Sequence, residues 1–158
     1  MRGFGHGLIA VLILLHLFLH VGFGFGGGAP DLFVVALLVA GRMVGAGAAA
    51  GLGFTLGLLE DAFSALSFGS NALSMAVTGI TASRSRDLFV ADSIPFLFAY
   101  FMGGKWIREL LAWLVSDGTV RSGFVEHVLV QAPLGGLYVS LIGITVVSML
   151  RRRPEGWE

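Results

Sequence analysis

The stretch that decides the fold runs from Gly53 to Leu73 and reads "GFTLGLLEDAFSALSFGSNAL". It lies in one of the most apolar parts of the chain, yet it carries two adjacent carboxylates, Glu60 and Asp61. A charged group costs free energy in apolar surroundings unless it is paired or hydrogen-bonded. Whether these carboxylates have a chemical role or a structural one therefore depends on the solvent around the chain and on the groups that they bind.

The composition indicates that this solvent is a lipid bilayer. Of the 158 residues, 56% are hydrophobic and 13% are charged, which differs strongly from an ordinary soluble domain. Runs without charge cover 3–30, 45–59, 66–83, 93–104 and 128–150, and they approach the roughly 20 apolar residues that a spanning helix needs. The polar connections between them are too short to hold a soluble domain. We therefore expect one all-α transmembrane domain over residues 1–158.

The basic residues favour six spans with both termini in the cytoplasm. Cytoplasmic loops collect Lys and Arg. With six spans one side holds seven arginines and the other holds only Arg121, whereas five spans would leave Arg42 in lipid. The seven are Arg2, Arg42, Arg84, Arg86, Arg151, Arg152 and Arg153. The expected helices are approximately 8–25, 32–43, 46–63, 70–82, 94–116 and 128–150, and the short second helix needs protein neighbours.

The third expected helix has one face without side-chain bulk. Gly45, Ala49, Gly53, Gly57 and Asp61 follow one another at intervals of four, so they lie on one side of a helix. Small residues at this spacing allow two helices to approach closely within lipid. We expect the neighbour to be a helix of the same chain, and a docking face for another protein is the alternative.

Asp61 lies at the end of this face, just before the turn into the fourth helix. A carboxylate there can accept hydrogen bonds from the free N–H groups of the next helix, whose first turn contains Ser70 and Asn71. The alternative is an ion site or a proton relay, but no further carboxylate continues a relay along the run. We therefore favour a tether for Asp61. Glu60 points elsewhere, and we expect it to be solvated.

Charged residues mark two further places. Pro30 and Asp31 precede the apolar run "LFVVALLVA", and Asp in that position predicts an N-cap of the second helix. The fifth helix contains "GGKWIRELLAW", in which Lys105 and Glu109 are four residues apart and can pair, while Arg108 lies one residue off. Charges within a span are costly unless they pair or meet a cavity. We expect a pair within the fold, with contact to a partner helix or a lipid headgroup as the alternative.

Other functional classes find little support in the sequence. There is no nucleophile–base set, no nucleotide-binding motif and no cysteine, and the net charge of zero gives no basic surface for nucleic acid. His16 and His20 lie four residues apart, but no third ligand is evident. We expect no enzymatic activity, no cofactor, no metal and no nucleic-acid partner.

Together these features resemble one family, the bacterial rod shape-determining membrane protein MreD. Pro30 and Asp31 open a short second helix, as they do in that family, and the stretch quoted above looks like its G-x₃-G-x₃-D motif followed by Gly and a small residue. A late helix through Pro133 and a basic tail at 151–153 are also similar. The motif positions in this chain are Gly53, Gly57, Asp61, Gly69 and Ala72.

The resemblance implies a non-enzymatic subunit of the cell-elongation machinery in the bacterial cytoplasmic (inner) membrane. It implies an MreC-like periplasmic coiled-coil protein, the glycosyltransferase RodA and the transpeptidase penicillin-binding protein 2 as partners, besides membrane lipids. It also implies the six-helix fold of the substrate-binding (S) components of energy-coupling-factor transporters.

Two other functions stay open. The chain could be a small-molecule-binding S component, although such components resemble one another in an Ala-x₃-Ala pattern that Ala10, with bulky residues four positions away, does not form. It could also conduct protons or ions through His16, His20, Asp61 and Glu109.

Overall fold

The chain folds into helices packed around one short central helix. The computed structural model describes residues 2–23, 31–63, 69–85, 93–116 and 123–151, with all their side chains except those of 2–4 and 20–23. These residues contain six α-helices and one π-helical segment and no strand, so the all-α prediction is confirmed for them. The elements are α1 (Arg2–Phe23), α2 (Leu32–Gly41), α3 (Ala46–Phe63), α4 (Ser70–Ser85), α5 (Ile94–Val115), the π-helical segment (Val125–Gln131) and α6 (Ala132–Arg151).

Several positions named from the sequence lie outside the described residues. They are Pro30, the side chains of Arg2 and His20, and Arg86, Arg121, Arg152 and Arg153.

The helix boundaries differ from the expected ones at several ends. The third helix has the expected bounds, but α1 already begins at Arg2 and α4 continues to Ser85. The second helix stops at Gly41 because the chain tightens there. The N–H of Arg42 donates to the carbonyl of Val39, and that of Met43 donates to Ala40, so both bonds span three residues and close a turn.

The last helix begins at Val125 rather than at Val128, and its first turns are π-helical. In a π-helix the carbonyl of Val128 would accept a bond from residue 133, which is a proline without an N–H. The indole Nε1 of Trp106 donates to that carbonyl instead, at 2.9 Å. A side chain of α5 thus satisfies the backbone group that Pro133 leaves open.

The second helix is the centre of the fold. All ten of its residues are buried, and it contacts α1, α3, α4, α5 and α6. Ten residues span only about 15 Å, half of the roughly 30 Å hydrocarbon layer. A helix that is apolar on every side is stable at this length because protein surrounds it.

Helices α3 and α4 are antiparallel and define two ends of the molecule. We call the "Asp61 end" the one where α3 and α5 end and where α2, α4 and the π-helical segment begin. We call the "Arg42 end" the opposite one, where α2 and α4 end and where α3 and α5 begin.

By length and apolar composition, one helix of the described residues, Val125–Arg151, is able to cross a membrane. The apolar helices Gly5–Leu19 and Leu32–Gly41 are shorter. The six-span topology therefore stays a prediction.

Candidate functional site

The carboxylate of Asp61 caps α4. Its Oδ2 accepts hydrogen bonds from the backbone N–H groups of Gly69 at 2.9 Å and Ala72 at 3.0 Å, and its Oδ1 accepts one from Asn71 at 3.2 Å. Asp61 is only 2% exposed. Three N–H groups at the start of α4, which have no partner within that helix, thus bind to the last turn of α3.

The cap depends on the backbone at Gly69. This residue has a φ of +97°, in the left-handed region that glycine adopts without a steric penalty. That conformation turns its N–H toward Asp61 while the chain enters α4. The motif positions Asp61, Gly69 and Ala72 are therefore parts of one hydrogen-bonded turn.

The small face of α3 lies against α4. A Cβ added to Gly53 would lie 2.7 Å from the carbonyl carbon of Met75, and one added to Gly57 would lie 2.5 Å from the Cα of Ala72. Gly79 of α4 packs in the same way against α3, where an added Cβ would lie 2.8 Å from the carbonyl carbon of Ala49. The two backbones are in contact along three turns, so these residues are not available to another protein.

Gly45 does not belong to this face, contrary to the sequence prediction. It precedes the first residue of α3, it is exposed, and an added Cβ there would meet no atom within 4 Å. The interval of four residues holds only where the chain is helical, and at Gly45 the helix has not begun.

Beside the cap lies a set of ionisable side chains that we call the charge cluster. Its centre is Glu109, whose Oε1 accepts from Arg108 Nη1 at 2.7 Å and from Lys105 Nζ four residues away. Lys105 also binds Asp31 Oδ2 at 2.7 Å. All of the α5 members are buried. The cluster consists of Asp31, Glu60, Lys105, Arg108, Glu109 and His127.

Glu60 is a member of this cluster, and the expectation that it is solvated is wrong. Its carboxylate forms an ion pair with Nη2 of Arg108, which also donates to Asn71 Oδ1 at 2.9 Å. Adjacent residues of a helix point about 100° apart. Asp61 therefore faces α4 while Glu60 faces α5.

Asp31 joins the cluster while it caps α2. Its Oδ1 accepts from the N–H of Val34 at 3.2 Å, as the N-cap prediction requires, and its Oδ2 binds Lys105. Burial alone would raise the pKa of Asp31, but the nearby charges of Lys105 and Arg108 outweigh burial and lower that pKa below its usual value. The residue therefore stays a carboxylate.

His127 completes the cluster from the π-helical segment. Its Nε2 lies 3.0 Å from Oε2 of Glu109, and its side chain is 28% exposed. His127 is thus the most accessible member, and it connects the last helix to the buried charges.

The cluster binds five elements together through charge-assisted hydrogen bonds. Its members come from the start of α2, the end of α3, the middle of α5 and the π-helical segment, and Asn71 adds the start of α4. Asn71 also connects the cluster to the cap, because its N–H donates to Asp61 while its side chain accepts from Arg108. Such interlocked groups hold one arrangement of the helices.

The remaining candidate residues have other surroundings. The ring of His16 stacks on Phe33, with centroids 3.9 Å apart. Within the described part of the chain, no group of three or more His, Asp or Glu side chains is arranged to hold a metal ion.

No family model, no curated protein and no solved structure matches the chain.

Proposed function

We propose that the chain is a non-enzymatic, multi-pass subunit of the bacterial cell-elongation (rod) complex in the cytoplasmic membrane. In this role it scaffolds peptidoglycan synthesis and cell-shape maintenance through an MreC-like periplasmic coiled-coil protein and the synthase formed by RodA and penicillin-binding protein 2. The fold is then that of the S components, with six spans and both termini in the cytoplasm.

The observation that carries the proposal is the joint placement of the motif residues. Gly53 and Gly57 bring α4 against α3, and Asp61 holds Gly69 and Ala72 at the start of α4. These five are the positions of the glycine–aspartate motif, which is one of the features that carry the resemblance to MreD. All five motif residues take part in the contact between α3 and α4 or in the cap of α4. A motif with such a structural role suits a scaffold protein.

The polarity of the molecule supports the membrane part of the proposal. Charged side chains such as Lys105, Arg108 and Glu109 are buried, while large apolar ones such as Leu14 and Leu141 are exposed. In water this distribution would be unfavourable on both counts. In lipid it is favourable, because apolar side chains meet acyl chains and charges pair inside the bundle.

The six-span topology has a direct test in a chain that has no cysteine of its own. It assigns the Asp61 end to the periplasm and the Arg42 end to the cytoplasm. A single cysteine at Gly123 should then react with an impermeant thiol reagent added to whole cells, whereas one at Ser93 should react only after lysis. Labelling of both positions, or of Ser93 alone, in intact cells would contradict this topology.

Partners must bind elsewhere than at the glycine face, because that face is covered by α4. Affinity purification in mild detergent tests which partners bind. We expect to recover an MreC-like coiled-coil protein together with cell-wall synthases. Recovery of ATPases with a coupling subunit instead would favour the alternative, a small-molecule-binding S component of an energy-coupling-factor transporter.

The first helix gives that alternative little support. The Ala-x₃-Ala pattern in which S components resemble one another lies in the first helix, where its small residues dock the coupling subunit. Here Ala10 is exposed, but the bulky Val11, Leu14 and Phe18 are exposed around it.

A further inference from the structure

A cavity of about 250 Å³ lies between α4 and α5, away from the charge cluster. Leu38 of the central helix forms its floor, and its walls are almost entirely apolar. Small residues of α5, Ala99, Gly103 and Gly104, keep the space open. The other lining residues are Thr78, Thr81, Ala82, Ser85, Phe96, Tyr100 and Ile107.

The cavity is an elongated groove that extends from the Arg42 end to the middle of α5. Its lining on α5 begins at Phe96, in the first turn, and ends at Ile107. The eleven helical steps from Phe96 to Ile107 span roughly 16 Å. This length matches one leaflet, which is half of the roughly 30 Å hydrocarbon layer.

A cationic side chain, that of Arg42, lies where the groove reaches the Arg42 end. The guanidinium carbon of Arg42 lies 5.5 Å from the ring centroid of Tyr100 and 5.9 Å from that of Phe96, and both rings line the groove. The groove is thus apolar along its length and positive at one end.

The groove is fixed in shape by contacts among the three helices that form it. The hydroxyl of Tyr100 donates to the carbonyl of Leu38 at 2.8 Å and lies 3.4 Å from that of Ala82. A Cβ added to Gly104 would lie 2.6 Å from Leu38 Cδ2, so floor and wall are in close contact. An occupant would therefore find the space already formed and would not have to separate helices.

We propose that this groove binds one acyl chain of an anionic phospholipid from the cytoplasmic leaflet, with the phosphate beside Arg42. The acyl chain fits the apolar walls and the length of one leaflet, and the negative charge of the headgroup complements the positive charge of Arg42. The proposal rests on the multi-pass topology proposed above, but not on the identity of the protein partners.

Gly103 provides a variant that fills the groove without disturbing the packing. A Cβ added there would meet no atom within 4 Å, so Gly103→Leu should occupy the acyl-chain space at little cost to the fold. Gly51→Leu is the matched control, because Gly51 is also a helical glycine with no atom within 4 Å of an added Cβ, and it is exposed on α3, outside the groove.

The experiment is native mass spectrometry of the purified chain in dodecyl maltoside micelles that contain either phosphatidylglycerol or phosphatidylcholine. We expect the wild type to prefer phosphatidylglycerol roughly fivefold, the ratio that corresponds to about 1 kcal/mol for one cationic side chain, that of Arg42, near anionic lipid. Gly103→Leu should lose most of the bound lipid, and Gly51→Leu should retain it.

Arg42 provides the test of headgroup recognition. Arg42→Gln should bind both lipids alike, whereas Arg42→Lys should keep the preference for phosphatidylglycerol. Lipid-free melting measurements check that each variant is folded, and Ala99→Leu replaces Gly103→Leu if the latter is not.

Equal binding of both lipids by the wild type would overturn the proposal, and so would undiminished lipid binding by a folded groove-filling variant. Neither result would alter co-purification of the coiled-coil partner. The failure of this inference is therefore distinguishable from the failure of the proposed function.

Discussion

Two sets of contacts, the glycine face of α3 and the charge cluster, hold helices together by opposite means. Between α3 and α4 the contact is made by backbone against backbone, with glycines in place of side chains and one carboxylate as a cap. Between α5 and its neighbours the contact is made by long charged side chains that reach across α2, α3 and the π-helical segment. The contact between α3 and α4 depends on the absence of large side chains, whereas the charge cluster is formed by large side chains.

The two sets of contacts should respond differently to substitution. A close backbone contact fails when any bulk is added, whatever its charge, because neither helix can move away without losing its other neighbours. A buried charge cluster tolerates a change of size but not a loss of balance, because removing one partner leaves an uncompensated charge. The three predictions below use this difference, from the largest expected effect to the smallest.

The largest effect is expected at Arg108, which binds Glu60, Glu109 and Asn71. Arg108→Leu leaves carboxylates buried without their main cation, and we expect a loss of about 3–5 kcal/mol in the free energy of unfolding. Arg108→Lys, which keeps the charge, should lose much less. Unfolding in detergent by denaturant titration measures both.

The double variant Arg108→Leu/Glu109→Leu separates charge balance from packing. If balance is what matters, the second substitution should recover part of the stability lost by the first. A double variant that is less stable than Arg108→Leu alone would contradict the charge-balance explanation.

The next effect is expected at Gly57, whose added side chain would meet the backbone of Asn71 and Ala72. Gly57→Leu should cost about 3 kcal/mol, the upper range for overpacking, because the obstacle is backbone rather than a flexible side chain. Gly51→Leu, on the exposed face of the same helix, is the control and should melt close to the wild type. Equal melting temperatures for the two variants would rule out the close contact between α3 and α4.

The smallest effect is expected at Asp61, where two substitutions distinguish a tether from a proton relay. Asp61→Ala removes three hydrogen bonds, and we expect a loss of about 1–2 kcal/mol, as for other helix caps. Asp61→Asn should lose less, because its amide oxygen in the place of Oδ2 can still accept from Gly69 and Ala72. Melting temperature and the function of the protein in cells are measured together. Two variants that melt like the wild type but do not function in cells would support the relay.

The features that the sequence predicted well are those fixed within one helix or across one turn. The glycine interval on α3, the N-cap at Asp31 and the Lys105–Glu109 pair depend on helical periodicity, which relates residues three or four positions apart. The tether from Asp61 spans only the turn into α4, where the free N–H groups always lie at the helix start. For these features, knowing that the chain is helical was sufficient.

The sequence by itself determined that this is an apolar, all-helical chain with a small-residue face that ends in a carboxylate. Only the tertiary structure decided that Glu60 pairs with Arg108 across 48 residues, that Lys105 meets Asp31 across 74 and that His127 reaches Glu109 across 18. It also decided that a groove opens beside Tyr100. The physical reason is that helical periodicity fixes the direction of a side chain only relative to its own helix, whereas its partner depends on how the helices pack around α2.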